Sequence, residues 1–170
     1  MAFKEHMVKR EIGIKDIFII LIVNIVAVVL GVIAFSYVAK FGGIALLVAV
    51  GVVYFSYLFA SRRKKEFEYI CTDDNMDIDV IMNKSKRKRL LSFDISHTEI
   101  IAPVKDEQYK HMLEKNFDRK IDATSKRKGA IVYFAIIEKD EKTLLKFEPT
   151  REILEILQRY ARSKVHICEE

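Results

Sequence analysis

Ile17 to Ala39 reads IFIILIVNIVAVVLGVIAFSYVA, a run of 23 residues without a charged side chain. As a helix rising 1.5 Å per residue it reaches about 34 Å, enough for a hydrocarbon core of about 30 Å. A helix buried in a soluble core is seldom apolar around its whole circumference for six turns, so the run reads as a membrane span. Its one costly residue is Asn24. The chain then passes Lys40-Phe41-Gly42-Gly43, a short turn with two glycines, into a second apolar run that ends at Ala60. The expected organisation is an N-terminal tail (1–16), a two-helix transmembrane hairpin (17–60, with spans 17–39 and 42–60) and a polar domain (61–170).

The segregation of charge supports this division. The chain is 51% hydrophobic and 31% charged, yet residues 17–60 contain a single charge, Lys40. One soluble globule, a disordered chain and a disulfide framework are all excluded by that split. A secretory signal peptide would have an apolar region of about 7–15 residues and a small-residue cleavage site. This run is longer, and a second one follows at once. Lys4, Lys9, Arg10 and Lys15 precede the first span, and Arg62-Arg63-Lys64-Lys65 follows the second. The positive-inside rule then places both termini in the cytoplasm and the turn outside, with the membrane crossed twice. Ala27 and Gly31, and Ala45 and Ala49, are spaced four apart, which allows helix backbones to approach closely. Such a face serves the two helices themselves or a membrane-protein partner.

The polar part is strand-rich. Glu66-Phe67-Glu68-Tyr69-Ile70-Cys71 and Met76-Asp77-Ile78-Asp79-Val80-Ile81-Met82 alternate polar and apolar residues around the turn Thr72–Asn75. Further strands are expected to end at Phe93, over 97–104, over 117–124, over 130–139 and over 143–147, with a polar helix or loop at 105–116 anchored by Tyr109, Met112 and Leu113. A helix opens after Pro149, with Thr150 as its cap and Ile153, Leu154, Leu157, Tyr160 and Ala161 on one face.

About seven short strands closed by one amphipathic helix resemble a pleckstrin-homology-like (PH-like) domain, a bent antiparallel sheet or barrel capped by its last helix. The resemblance is carried by Phe67-Glu68-Tyr69, by Met76-Asp77-Ile78-Asp79, by the basic stretch Lys84 to Leu90 and by the closing helix Arg151 to Lys164. The whole chain resembles the small bacterial membrane proteins that join two N-terminal spans to a cytosolic PH-like domain. The fold class implied is α+β.

No local pattern carries catalytic chemistry. Asp73-Asp74-Asn75-Met76-Asp77 invites a calcium reading, but position six of the loop would be Ile78 and position twelve Lys84, which cannot ligate while protonated. Cys71 and Cys168 lie far apart without a paired motif, and the four histidines fall at no ligand spacing. The expectation is a non-enzymatic protein without metal or cofactor. The feature that points to a partner is basic: Lys84, Lys86, Arg87, Lys88 and Arg89 crowd one turn, and Lys126, Arg127 and Lys128 another. On a domain tethered beside a bilayer, these fit anionic phospholipid headgroups, each contributing about 1 kcal/mol; as a bland alternative they discourage strand-edge pairing. Nucleic acid fits poorly, because residues 62–170 hold 24 basic and 21 acidic residues, a net charge of only +3, without interleaved aromatics. The functional expectation is an inner-surface module that binds anionic headgroups or a protein partner. The alternative is an accessory subunit of a larger membrane complex that interacts through its hairpin.

Overall fold

The computed structural model describes residues 2–37, 43–61 and 65–168, in two compact units: residues 11–64, and residues 1–10 together with 65–170. The expected turn at 40–42 and basic residues 62–64 lie outside the described residues.

In the first unit, α1 (Ile14–Ser36) and α2 (Gly43–Ser61) are both almost wholly apolar. Helix α1 starts three residues earlier than the uncharged run, taking in Asp16, whose charge suits the positive end of the helix dipole. Among the described residues α1 is the one helix long and apolar enough to cross a membrane by length and composition; the apolar stretch of α2, Leu46–Leu58, is shorter. The apolar side chains of α1 are largely exposed, Leu21, Ile22, Ile25 and Val29 among them, unlike those of a soluble core helix. Asn24 is spent between the helices. Its Nδ2 donates to the Ile20 carbonyl at 2.7 Å, and its Oδ1 accepts from Ser56 Oγ at 3.1 Å. Ala27 and Ser56 are buried nearby. A side chain built on Gly31 would meet nothing within 4 Å, so the space left by this glycine is not filled by α2.

The second unit corrects the expectation of an N-terminal tail. Phe3–Lys9 is a strand, β1, and it pairs antiparallel with β2 (Lys65–Thr72) from Phe3↔Thr72 to Lys9↔Glu66. Its pattern runs against the usual polarity, which hid it. The inward positions are Lys4, His6 and Val8, while Phe3 and Met7 stand exposed on the outer face. Val8 reaches the core and the His6 ring lies 6.0 Å from that of Tyr69. Hydrogen bonds pin both ends: Asp73 accepts from the Ala2 N–H at 2.6 Å, and the Arg10 N–H donates to the Lys65 carbonyl at 3.0 Å.

β2 continues into β3 (Asn75–Met82) and β4 (Lys86–Asp94), giving a four-stranded sheet in the order β1-β2-β3-β4. The second sheet, in the order β5-β7-β8-β6, is built from β5 (Thr98–Pro103), β6 (Arg119–Asp122), β7 (Tyr133–Glu138) and β8 (Lys142–Phe147). Among the described residues there are thus eight strands: seven within 65–168, and β1 ahead of the helices. β6 is not part of a simple meander, since it pairs with β8 in parallel. The core lies among the two sheets and α3 (Arg151–Tyr160), with Phe67, Tyr69, Met76, Ile78, Phe93, Leu145, Phe147 and Leu157 buried in it. Tyr69 ties the layers: its hydroxyl donates to the Ala123 carbonyl at 2.6 Å and accepts from the Glu148 N–H at 3.3 Å. A second cluster, on the other face of the second sheet, explains the segment 105–117. There Tyr109, Met112, Leu113 and Phe117 cover Ile100, Phe134, Ile136 and Leu144, so β7 is buried on both faces and reads as a continuous apolar run. Helix α3 stops at Tyr160, short of the expected Lys164. The chain turns there so that Val165 can pair with Ile101 and enter the core, while Tyr109 stacks on His166.

Candidate functional site

The turn Asn83–Ser85 joins β3 to β4, and register decides where its basic residues go. Met82 stands opposite both Lys86 and Lys65, and Lys9 stands opposite Glu66. Lys9, Arg10, Lys65, Lys84 and Lys86 therefore gather at one end of the first sheet, the end at which the chain leaves for, and returns from, residues 11–64. None of these five has a side-chain hydrogen bond or ion pair among the described residues, and all but the half-buried Arg10 are exposed. Lys88 follows Lys86 on the same face of β4, also exposed.

The two arginines of the same stretch do something else. Arg87 and Arg89 point to the outer face of the sheet, where β2 and β3 place Glu68 directly opposite Asp79. Glu68 and Asp79 are only 3% and 2% exposed, a like-charged cross-strand pair that would be untenable alone. Arg87 bridges both carboxylates; Arg89 binds Asp79 at 2.8 Å and Asp77 at 2.8 Å. Hydrogen bonding to Asp79 holds the Arg89 guanidinium above its ordinary value. These arginines are structural counter-ions. The sequence carried the signal for this, because Asp77/Asp79 and Arg87/Arg89 both alternate with residues of the opposite face across a short turn. Glu68, Asp77 and Asp79 were not read as their partners.

The second basic turn is also divided. Lys126 pairs with Asp122; burial raises that carboxyl, but bonds from Lys126 and Thr124 outweigh it and hold it below the usual range. Arg127 and Lys128 are exposed, their side chains without partners among the described residues. They sit in the connection from β6 to β7, and no strand register brings them to the basic end of the first sheet.

A family model described as a bacterial PH-like domain (DUF6106) matches residues 2–167. The chain belongs to this family. No curated protein and no solved structure matches the chain. The family match opens before β1 and runs through the helices to the segment after α3, so the N-terminal strand and the helices lie inside one bacterial PH-like pattern. A fold of this kind points to the binding of lipid or protein. The Cys71 thiol of this PH-like protein suits no reactive role: burial, reinforced by the Asp73 charge, pushes it up to about 11, leaving little thiolate at neutral pH. Among the described residues no group of histidine, cysteine and carboxylate side chains could hold a metal.

Proposed function

We propose that this bacterial PH-like protein is a non-enzymatic integral membrane protein, crossing the plasma membrane twice with both termini cytoplasmic, whose basic sheet end engages anionic lipid headgroups. The observation that carries the reading is the gathering of Lys9, Arg10, Lys65, Lys84 and Lys86 at the sheet end joined to the apolar helices. Only residues 11–13 separate Arg10 from α1, a reach of at most about 14 Å. With α1 in the bilayer, this end cannot be far from the headgroup layer. Lys84, Lys86 and Lys88 add about 1 kcal/mol each near an anionic surface, and tethering makes such weak contacts effective. Arg87 and Arg89 leave the candidate set because Glu68, Asp77 and Asp79 already neutralise them.

The chain has no tryptophan, so Ser85→Trp creates a unique reporter in the turn. In proteoliposomes its fluorescence should be quenched by brominated lipid when the vesicles are anionic. Quenching should weaken at 0.5 M salt, through screening, and in the Lys84→Ser/Lys86→Ser/Lys88→Ser variant. Equal quenching in neutral and anionic vesicles would sink the reading.

A second reading, an accessory subunit that uses its helices as the contact, draws support from the unfilled space over Gly31. Replacing residues 14–61 with an unrelated two-span hairpin discriminates: it abolishes function on this reading and preserves it on the first.

A further inference from the structure

β1 and β2 are hydrogen-bonded neighbours, yet residues 11–64 lie between them in the chain. The pairing is not a loose contact. It runs from Phe3↔Thr72 to Lys9↔Glu66 and is closed at one end by Arg10 N–H to the Lys65 carbonyl and at the other by Ala2 N–H to Asp73. Val8 is 7% exposed in the core, and Lys4 forms an ion pair with Glu152 of α3. Strands bonded in this way must be on the same side of any membrane. Whatever residues 11–64 do between them, the number of crossings is therefore even.

We infer that β1 is a topological clasp: the sandwich acquires its first strand only from a chain whose helical segment has returned to the side it left, so α2 crosses whenever α1 does. The inference rests on the reading of α1 as a span, and not on the lipid contacts of the basic end. It also explains how α2 is held in place although its apolar stretch is the shorter one. A single crossing leaves β1 stranded, strips the β2 edge of its partner and uncovers the core around Phe67 and Tyr69. The free energy of completing the sheet is then coupled to insertion of α2, because only the returned chain can form it. β1 is synthesised before the helices and can pair only after them, which makes the folded domain a report on correct insertion.

The test uses the full-length chain in membrane vesicles, with protease added on the cytoplasmic side and survival of the 65–168 fragment followed in the alkali-resistant, integrated fraction. Residues 43–61 are replaced either by an unrelated leucine/alanine helix of equal length or by a polar serine/glutamate/lysine helix of equal length. The apolar replacement should keep wild-type resistance. The polar one, integrated through α1 alone, should lose it by about tenfold or more, as protease captures the open sandwich. Val8→Asp, with both native helices present, should lose resistance similarly while cysteine labelling shows unchanged crossing by α2. An integrated polar-helix chain as resistant as wild type would overturn the inference, as would full resistance in Val8→Asp. Extraction of the wild-type chain by alkali would instead overturn the membrane reading beneath it. Lys84→Ser/Lys86→Ser/Lys88→Ser should be as resistant as wild type, which separates this outcome from that of the lipid contacts.

Discussion

Arg87 and Arg89 differ from Lys86 and Lys88 by one position of strand alternation, and that offset gives them different work. The arginines neutralise Glu68 and Asp79 on one face, while the lysines face solvent on the other. Arg89→Ala leaves the buried Asp79 short of a counter-ion and should cost about 2–3 kcal/mol, less than a fully buried pair because the arginine is half exposed. Lys88→Ala should stay within about 0.5 kcal/mol. Urea midpoints of the detergent-solubilised variants check both. Asp73 sets a pH dependence. The Ala2 N–H, followed by the Tyr160 hydroxyl, holds its carboxyl below the ordinary value of 3.8. Unfolding removes those donors, so in acid the unfolded chain binds the extra proton. The contribution is therefore complete above the unfolded-state value and is lost as pH falls through the lower folded one. Urea midpoints should drop between about pH 5 and pH 3, and Asp73→Asn should lessen that drop, the remainder coming from Asp94, Glu99 and Asp122, which are also held below their ordinary values. A wild-type profile already flat in this range would remove Asp73 from the account.

Among the elements, α3 was the most legible, since Ile153, Leu154 and Leu157 recur at helical spacing and Thr150 caps it, accepting from the Ile153 N–H at 3.4 Å. Thr150→Ala should lower stability by about 1 kcal/mol, with Thr150→Ser close to wild type, read from thermal or urea unfolding. β2 and β3 were legible for a related reason: apolar residues alternate with polar ones along each, even though Glu68 and Asp79 on the polar face are buried as well. β1 was not. An edge strand that turns lysine and histidine inward and phenylalanine and methionine outward has no hydrophobic stripe to read. What makes it a strand is the unpaired edge of β2, a partner more than fifty residues away. β6 was only half legible, because its parallel partner β8 comes later in the chain and no hairpin turn announces the pairing.

At the level of the whole molecule, β1 makes the PH-like domain discontinuous in sequence, interrupted by the helical segment 11–64. Joining Arg10 to Lys65 by a short Asn-Gly turn in place of residues 11–64 should therefore yield a folded, water-soluble sandwich, because the hydrogen bond between those two residues already closes a hairpin there. Circular dichroism should show it melting at least about 5 °C above residues 65–168 alone. Equal melting points would show that β1 is dispensable. The basic surface was legible in part: the sequence marks where lysines and arginines crowd, because composition is local. Which of them remain free was decided by register, because a charge is spent or available according to what stands opposite it in space. By itself the sequence determined the apolar helical segment, most of the strands and the closing helix, all features written in the periodicity of neighbouring residues. Only the tertiary structure decided that the N-terminus is the first strand, that two half-exposed arginines are counter-ions to buried carboxylates and that the free lysines share one end of the sheet with the helix junctions. Each of these depends on pairing between distant segments, which local periodicity does not encode.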